Sequence, residues 1–198
     1  MSSDKIRNLS RELLSDNWYK LEKVSYEIQL KDGSWESQSR EAYDRGNGAA
    51  VLLYNLEKRS VVLIRQFRLP TYLNGNDDGY LLEVCAGLLD ERNPEEAIRK
   101  EAEEETGYRL EQVEKVFELF MSPGSVTEII HFYMATYSDE MRVSEGGGLQ
   151  KEQEHIEVVE LSFDQAFRMM ENGEIKDAKT LILIQTLKSR INRLKEFV

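Results

Sequence analysis

The sequence predicts an α+β fold, and three observations lead there. Strand-like segments come first, in two groups separated by a glycine-containing turn; a helix with clear start and stop signals follows; and the later strands and two closing helices show no repeating βαβ unit. The 198 residues suffice for one substantial core and a small extra module. Residues 1–44 are expected to form an N-terminal hairpin module and residues 45–198 the main domain.

Taken in order, the opening segment carries Ile6, Leu9, Leu13 and Leu14 among Arg7, Arg11 and Glu12, a spacing that reads as weakly helical or frayed. Val24, Tyr26, Ile28 and Leu30 then alternate with Lys23, Ser25, Glu27 and Gln29, the period of a half-buried strand. Asp32-Gly33 supplies the positive φ of a tight hairpin turn, and the return strand runs from Trp35 to about Tyr43. Beyond Arg45-Gly46-Asn47-Gly48, two nearly continuous apolar runs at 49–54 and 61–67 predict central strands buried on both faces. A polar loop through Asn74 and Gly79 leads to a short strand at 80–84. Pro94 and Gly107 bracket a helix over 94–106. Further strands are expected at 113–120, 129–137 and 156–161, and helices at 163–172 and 178–197. The glycine-rich stretch 144–150 reads as a mobile loop.

Composition narrows the function. No apolar run approaches the roughly 18 residues of a membrane span, and the net charge of −11 repels nucleic-acid phosphates. Neither a membrane nor a nucleic acid is expected as partner. The first residues lack a signal-peptide layout and Cys85 is the single cysteine, so a cytoplasmic location is expected. Cys85, His131 and His155 cannot fill a four-ligand zinc site, which leaves oxygen donors for any metal. An anionic substrate would then require divalent cations held by carboxylates.

The helix at 94–106 places such carboxylates. At about 100° per residue, Ala97, Ile98, Glu104 and Glu105 all lie within roughly 60° of Glu101, so three carboxylates share an arc with apolar residues. Glu95, Glu96, Arg99 and Glu103 occupy the opposite, solvated face. Like charges turned inward are costly unless a cation neutralises them.

The segment from Gly87 to Tyr108, ending in Glu101-Ala102-Glu103-Glu104-Glu105-Thr106-Gly107, resembles the Nudix box of hydrolases acting on nucleoside diphosphate derivatives. It departs from that pattern in being one residue short before the helix and in carrying Lys100 where arginine is usual. Leu14-Ser15-Asp16-Asn17-Trp18, 43–48, 64–68, Met121-Ser122-Pro123-Gly124 and Gly173-Glu174-Ile175 resemble the GDP-mannose pyrophosphatase subgroup, close to the ADP-ribose pyrophosphatases. The resemblance implies an α/β/α sandwich with a mixed sheet, Mg²⁺-dependent cleavage of a nucleotide-sugar pyrophosphate, and a homodimer with exchanged N-terminal hairpins.

It also implies roles. Glu101 and Glu105, with the main-chain carbonyl of Ala86, hold Mg²⁺, and Glu104 is a third or water-mediated ligand in the catalytic set. Trp18 stacks on the base, although a tryptophan at a strand start is otherwise a core residue. Ser39, Arg40 and Glu41 reach the partner's site; by themselves Arg40 and Glu41 read as a solvated strand edge. Arg68 holds phosphate, with Arg65 an alternative, and Ala86, Gly87, Leu88 and Glu105 line the substrate. Glu128 faces the sugar or is an edge-strand glutamate, and Lys179 binds substrate or is an ordinary helix-start lysine. Near the glycine-rich loop, Gln153 and Glu154 contact substrate, and Glu154 also binds metal or acts as general base, with Glu152 its rival. An inactive nucleotide-binding module on the same scaffold is the alternative of another class.

Overall fold

The computed structural model describes residues 5–89, 91–149 and 155–196. Its elements are β1 (Ile6–Asp16), β2 (Lys20–Gln29), β3 (Trp35–Asp44), β4 (Gly48–Asn55), β5 (Ser60–Phe67), α1 (Leu69–Leu73), β6 (Tyr80–Glu83), β7 (Cys85–Leu88), α2 (Pro94–Thr106), β8 (Glu114–Phe120), β9 (Ile129–Thr136), β10 (Glu157–Ser162), α3 (Phe163–Glu171) and α4 (Ala178–Glu196), with a short 3₁₀ turn at Asp139–Met141. The chain divides into two compact units, Met1–Asn47 with Phe120–Ile129, and Gly48–Leu119 with Ile130–Val198.

The first unit holds a three-stranded antiparallel sheet in the order β1-β2-β3, where a two-stranded hairpin is expected. The opening segment is strand, not helix. Its register slips between Arg7 and Ser10 and again between Leu13 and Ser15, and Asn8 takes a φ of 53°. Each irregularity shifts which face the next residue joins. Ile6, Leu9 and Leu13 therefore fall at helix-like intervals within an extended chain. Arg7 to Glu27 at 2.6 Å and Arg11 to Glu22 at 2.8 Å tie β1 to β2. Residues 120–129 belong to this unit because Ser125 accepts the Tyr43 amide at 2.8 Å, Tyr43 accepts the Thr127 amide at 3.1 Å, and Asn47 Oδ1 accepts the Ile129 amide at 3.0 Å.

The second unit is a mixed sheet with helices on both faces, the sandwich the resemblance implies. Strand order is β10-β5-β4-β9-β8, with β6 on β5 and β7 on β4; β4 and β9 run parallel. β4 and β5 pair only over Leu53–Asn55 with Ser60–Val62, after which β5 takes β6 as neighbour and β4 takes β7, while β10 lies along the other edge of β5 from Ser60 to Arg65. Residues 85–88, to which the sequence pattern assigns no element, are therefore a strand. Ala49, Val51 and Leu53 pack with Ala97, Ile98 and Ala102 of α2. By strand alternation Ala50 and Leu52 face the opposite layer, where Leu183, Ile184 and Phe163 are buried.

α2 begins and ends where its punctuation predicts. Asn93 Oδ1 accepts the Glu95 amide at 2.9 Å, Pro94 opens the helix, and Gly107 closes it at φ 81°. The glycine-rich stretch, expected to be mobile, is docked on this end. Gly147 donates to the Glu105 carbonyl at 2.9 Å and Gly148 to the Glu104 carbonyl at 3.1 Å, satisfying acceptors that a helix end leaves open. A Cβ on Gly107 would lie 2.2 Å from the Ser144 carbonyl oxygen, a backbone atom that cannot swing aside. Gly107→Ala is expected to cost about 2 kcal/mol or more in chemical denaturation; an unchanged midpoint would contradict this packing.

Smaller revisions remain. The polar loop after β5 contains α1, opened by Pro70 near its start, and α3 ends at Glu171; the expected end of the last helix at 197 lies outside the described residues.

Candidate active site

α2 and β7 build the acidic centre of the second unit. Glu105 is 2% exposed, and its Oε2 accepts the Ala86 amide at 3.2 Å. One turn earlier, Glu101 lies across Gly87: a Cβ there would be 2.4 Å from Glu101 Cδ and 2.8 Å from its Oε2. Glycine is what lets this carboxylate rest against the backbone of β7. Two of the predicted metal ligands thus converge on Ala86 and Gly87, as their helical spacing requires.

Glu104 stands apart. Its Oε2 accepts from Lys100 Nζ at 2.6 Å, and among the described residues no three acidic, histidine or cysteine side chains are gathered to hold a metal. The donor set nevertheless fits a hard cation. Carboxylate oxygens on a glycine cradle, with histidine and thiolate absent from it, are the ligands Mg²⁺ prefers. Glu152, Gln153 and Glu154 lie outside the described residues. Cys85 is buried in the core, consistent with packing and not with nucleophilic chemistry.

Beside this centre, sequence reasoning missed a buried polar network. Glu83, 3% exposed at the end of β6, accepts from Arg68 Nε at 2.7 Å on Oε2 and from Lys179 Nζ at 3.3 Å on Oε1. Lys179 also donates to Asp177 Oδ1 at 2.6 Å. Asp177 Oδ2 accepts the Thr180 amide and hydroxyl at 2.9 and 2.7 Å, and Thr180 Oγ1 accepts the Val84 amide at 2.7 Å. Val84 is the one residue between β6 and β7, where the chain changes sheet neighbour. Its buried amide is satisfied by α4 at that change. A signal was present in the sequence: a lone glutamate inside the apolar strand Tyr80-Leu81-Leu82-Glu83-Val84 must find a partner if buried. Arg65, the rival to Arg68, pairs instead with Asp78 at 3.1 Å and Glu157 at 3.5 Å.

On the outer flank of α2, a groove of about 380 Å³ is lined by cations that are already engaged. Arg99 donates to the Leu110 carbonyl at 2.9 Å, Lys100 pairs with Glu104, and Arg109 grips Glu103 through two bonds of 2.9 Å, which holds the Glu103 carboxyl below its ordinary range.

The first unit carries the remaining predicted residues. Trp18 is 84% exposed in the bend between β1 and β2, so it is not a core residue. It meets Tyr19 edge-on at 6.4 Å, and the guanidinium of Arg45 sits 5.6 Å from the Tyr19 ring. Arg45 also pairs with Glu128 at 3.2 Å, which places Trp18 and Glu128 in one structural neighbourhood. On β3, Ser39 Oγ is 3.1 Å from Ser25 Oγ, Arg40 donates to the Ser39 carbonyl at 2.8 Å, and Glu41 is exposed.

A carboxylate-bearing helix docked on a glycine turn, within a mixed sheet covered on both faces, agrees with the family comparison: the NUDIX domain model matches residues 44–183, and the chain belongs to that family of hydrolases. The GDP-mannose pyrophosphatase NudK N-terminal domain model matches residues 5–43. The chain is 55% identical over 184 residues to the GDP-mannose pyrophosphatase of Klebsiella pneumoniae, covering 93% of this chain and 92% of that protein. Against the protein of the same name from Cronobacter sakazakii it is 57% identical over 178 residues, covering 90% and 92%. The fold is also that of a solved ADP compounds hydrolase, with a TM-score of 0.70 at 20% identity and 98% of each chain covered. No helix among the described residues is long and apolar enough to cross a membrane.

Proposed function

We propose that the protein hydrolyses the pyrophosphate bond of GDP-mannose to GMP and mannose 1-phosphate. The single observation that carries the chemistry is the convergence of Glu101 and buried Glu105 on the Ala86–Gly87 backbone. The substrate rests on the high identity to GDP-mannose pyrophosphatases over nearly the whole chain. Glu101, Glu105 and the Ala86 carbonyl would hold Mg²⁺ with Glu154. When bound, that ion offsets the negative charge of the phosphates and lowers the pKa of water in its shell.

The chain's own groups divide the remaining work. Arg68 and Lys179 balance phosphate charge, Gly87 and Leu88 present backbone to the substrate, and Glu104 is held ready beside Lys100. Glu154 or Glu152 accepts the proton of the attacking water. Trp18 supplies an exposed ring for the base, a contact that accepts either purine. Glu128, neutralised by Arg45, serves the sugar side.

The test is a competition. Equal GDP-mannose and ADP-ribose are incubated with enzyme and Mg²⁺, products are resolved by chromatography, and a chelator control is run alongside. GMP is expected to predominate, with no product in the control. Predominant AMP would move the substrate to ADP-ribose, and no cleavage of either would favour a nucleotide-binding module.

Ser39, Arg40 and Glu41 act in a partner's site through a homodimer with exchanged N-terminal modules. Exposed Ile6, Leu9, Leu13 and Leu14 of β1, on a three-stranded sheet, support an interface there. Light scattering at micromolar concentration is expected to give twice the 23.0 kDa chain mass; a monomer mass would exclude the exchange.

A further inference from the structure

We propose that Glu83 is a positioning residue, holding Arg68 and Lys179 together as a two-cation clamp for the substrate's pyrophosphate. The proposal rests on the reading that these two cations bind phosphate. Glu83 is 3% exposed, too deep for an ionised carboxylate unless it is paired. Its partners come from distant segments: Arg68 follows β5, and Lys179 stands in the first turn of α4, 96 residues beyond Glu83. The two carboxylate oxygens are divided between them, Oε2 to Arg68 and Oε1 to Lys179.

This division does more than neutralise a charge. Two cations gathered at one place repel each other, and a shared carboxylate removes that repulsion while setting where each one lies. Lys179 is fixed a second time by Asp177, whose other oxygen caps α4 through Thr180. Thr180 in turn holds the Val84 amide, two residues before Ala86. The hydrogen bonds of the clamp therefore hold the chain two residues before the backbone cradle under Glu101 begins.

The Arg68 side chain remains 38% exposed and that of Lys179 19%, so both retain a face toward solvent. An arriving diphosphate meets cations already in place, with their ordering entropy spent during folding. Removing the Glu83 charge leaves both cations present but no longer fixed. Attraction for the anion persists while alignment is lost, so turnover falls more than substrate affinity.

The test uses the full-length protein, Mg²⁺, and whichever of GDP-mannose and ADP-ribose the wild type cleaves. kcat and KM are measured for Glu83→Gln, Glu83→Asp, Arg68→Met, Lys179→Met and the double variants joining Glu83→Gln to each cation change, with thermal melts for all. Glu83→Gln is expected to lower kcat on the order of 10-fold to 100-fold with a smaller change in KM, and Glu83→Asp to recover part of it. In each of the Arg68→Met and Lys179→Met backgrounds, Glu83→Gln is expected to cost clearly less than in the wild type, because the part of its effect that passes through the missing cation is already lost.

A purely structural ion pair would instead lower the melting temperature and leave kcat unchanged in the folded fraction, which overturns the proposal. Fully multiplicative losses in the double variants overturn it as well. If Glu83→Gln does not fold, the same cycle is run with Glu83→Asp. If Arg68→Met and Lys179→Met themselves leave kcat and KM unchanged, the phosphate-binding reading falls, a result distinguishable from failure of Glu83 alone.

Discussion

Glu101→Gln is expected to lower kcat on the order of 1,000-fold at saturating Mg²⁺, by removing a charge that serves the site where phosphoryl charge develops. The substitution keeps the shape of the side chain lying across Gly87. Glu104 and Glu105 stand three and four residues beyond Glu101, helical spacings at which like charges oppose each other by a few tenths of a kcal/mol. The rise in melting temperature that Mg²⁺ produces by binding the native state is expected to shrink in the variant. Retained turnover would remove Glu101 from the site.

Gly87→Ala tests the same contact from the other side. The new Cβ would stand 2.4 Å from Glu101 Cδ and 2.5 Å from Cγ, closer than these atoms can remain. Both belong to the outer part of a flexible side chain, so the strain is relieved by moving the carboxylate, at about 1–3 kcal/mol of stability. A displacement near 1 Å at a reacting centre costs on the order of 100-fold in rate. Gly87→Ala is thus expected to give a folded protein with kcat reduced to that extent and a raised Mg²⁺ requirement. Adding it to Glu101→Gln should change little more, since the carboxylate it displaces is already gone. Wild-type activity in Gly87→Ala would mean that Glu101 works from a position other than the one seen over β7.

The comparison of sequence with structure is clearest at three places. α2 was legible to the residue because Asn93, Pro94 and Gly107 act on their own backbone, and Ala97, Ile98 and Ala102 repeat at the helical period. The central strands β4 and β5 were legible because burial on both faces leaves an unbroken apolar run. β1 reads as helical because Ile6, Leu9 and Leu13 stand at intervals of three and four, and the irregular register between Arg7 and Ser10 departs from the strict alternation of a strand. β7 went unrecognised because four residues beside a glycine carry no period; it is a strand only because β4 leaves that edge open. The glycine-rich stretch has no side chains to announce its docking, which uses main-chain donors on the carbonyls of Glu104 and Glu105.

Legible in the sequence alone were the acid-bearing helix, the positions of most strands along the chain, the family, and the set of residues with chemical capacity. These are properties of contiguous residues: a period, a cap, a spacing of carboxylates along one face. Which of them meet follows from the folded chain. Folding set Glu101 against Gly87, joined Glu128 to the unit of Trp18 through Arg45, and buried Glu83 between Arg68 and Lys179. Each of the last two pairings links segments remote in the chain, and a hydrogen bond or ion pair depends on separation in space at a few ångströms. Local pattern carries no record of that distance; the splitting of the sheet at Val84 and the return of residues 120–129 to Tyr43 create it.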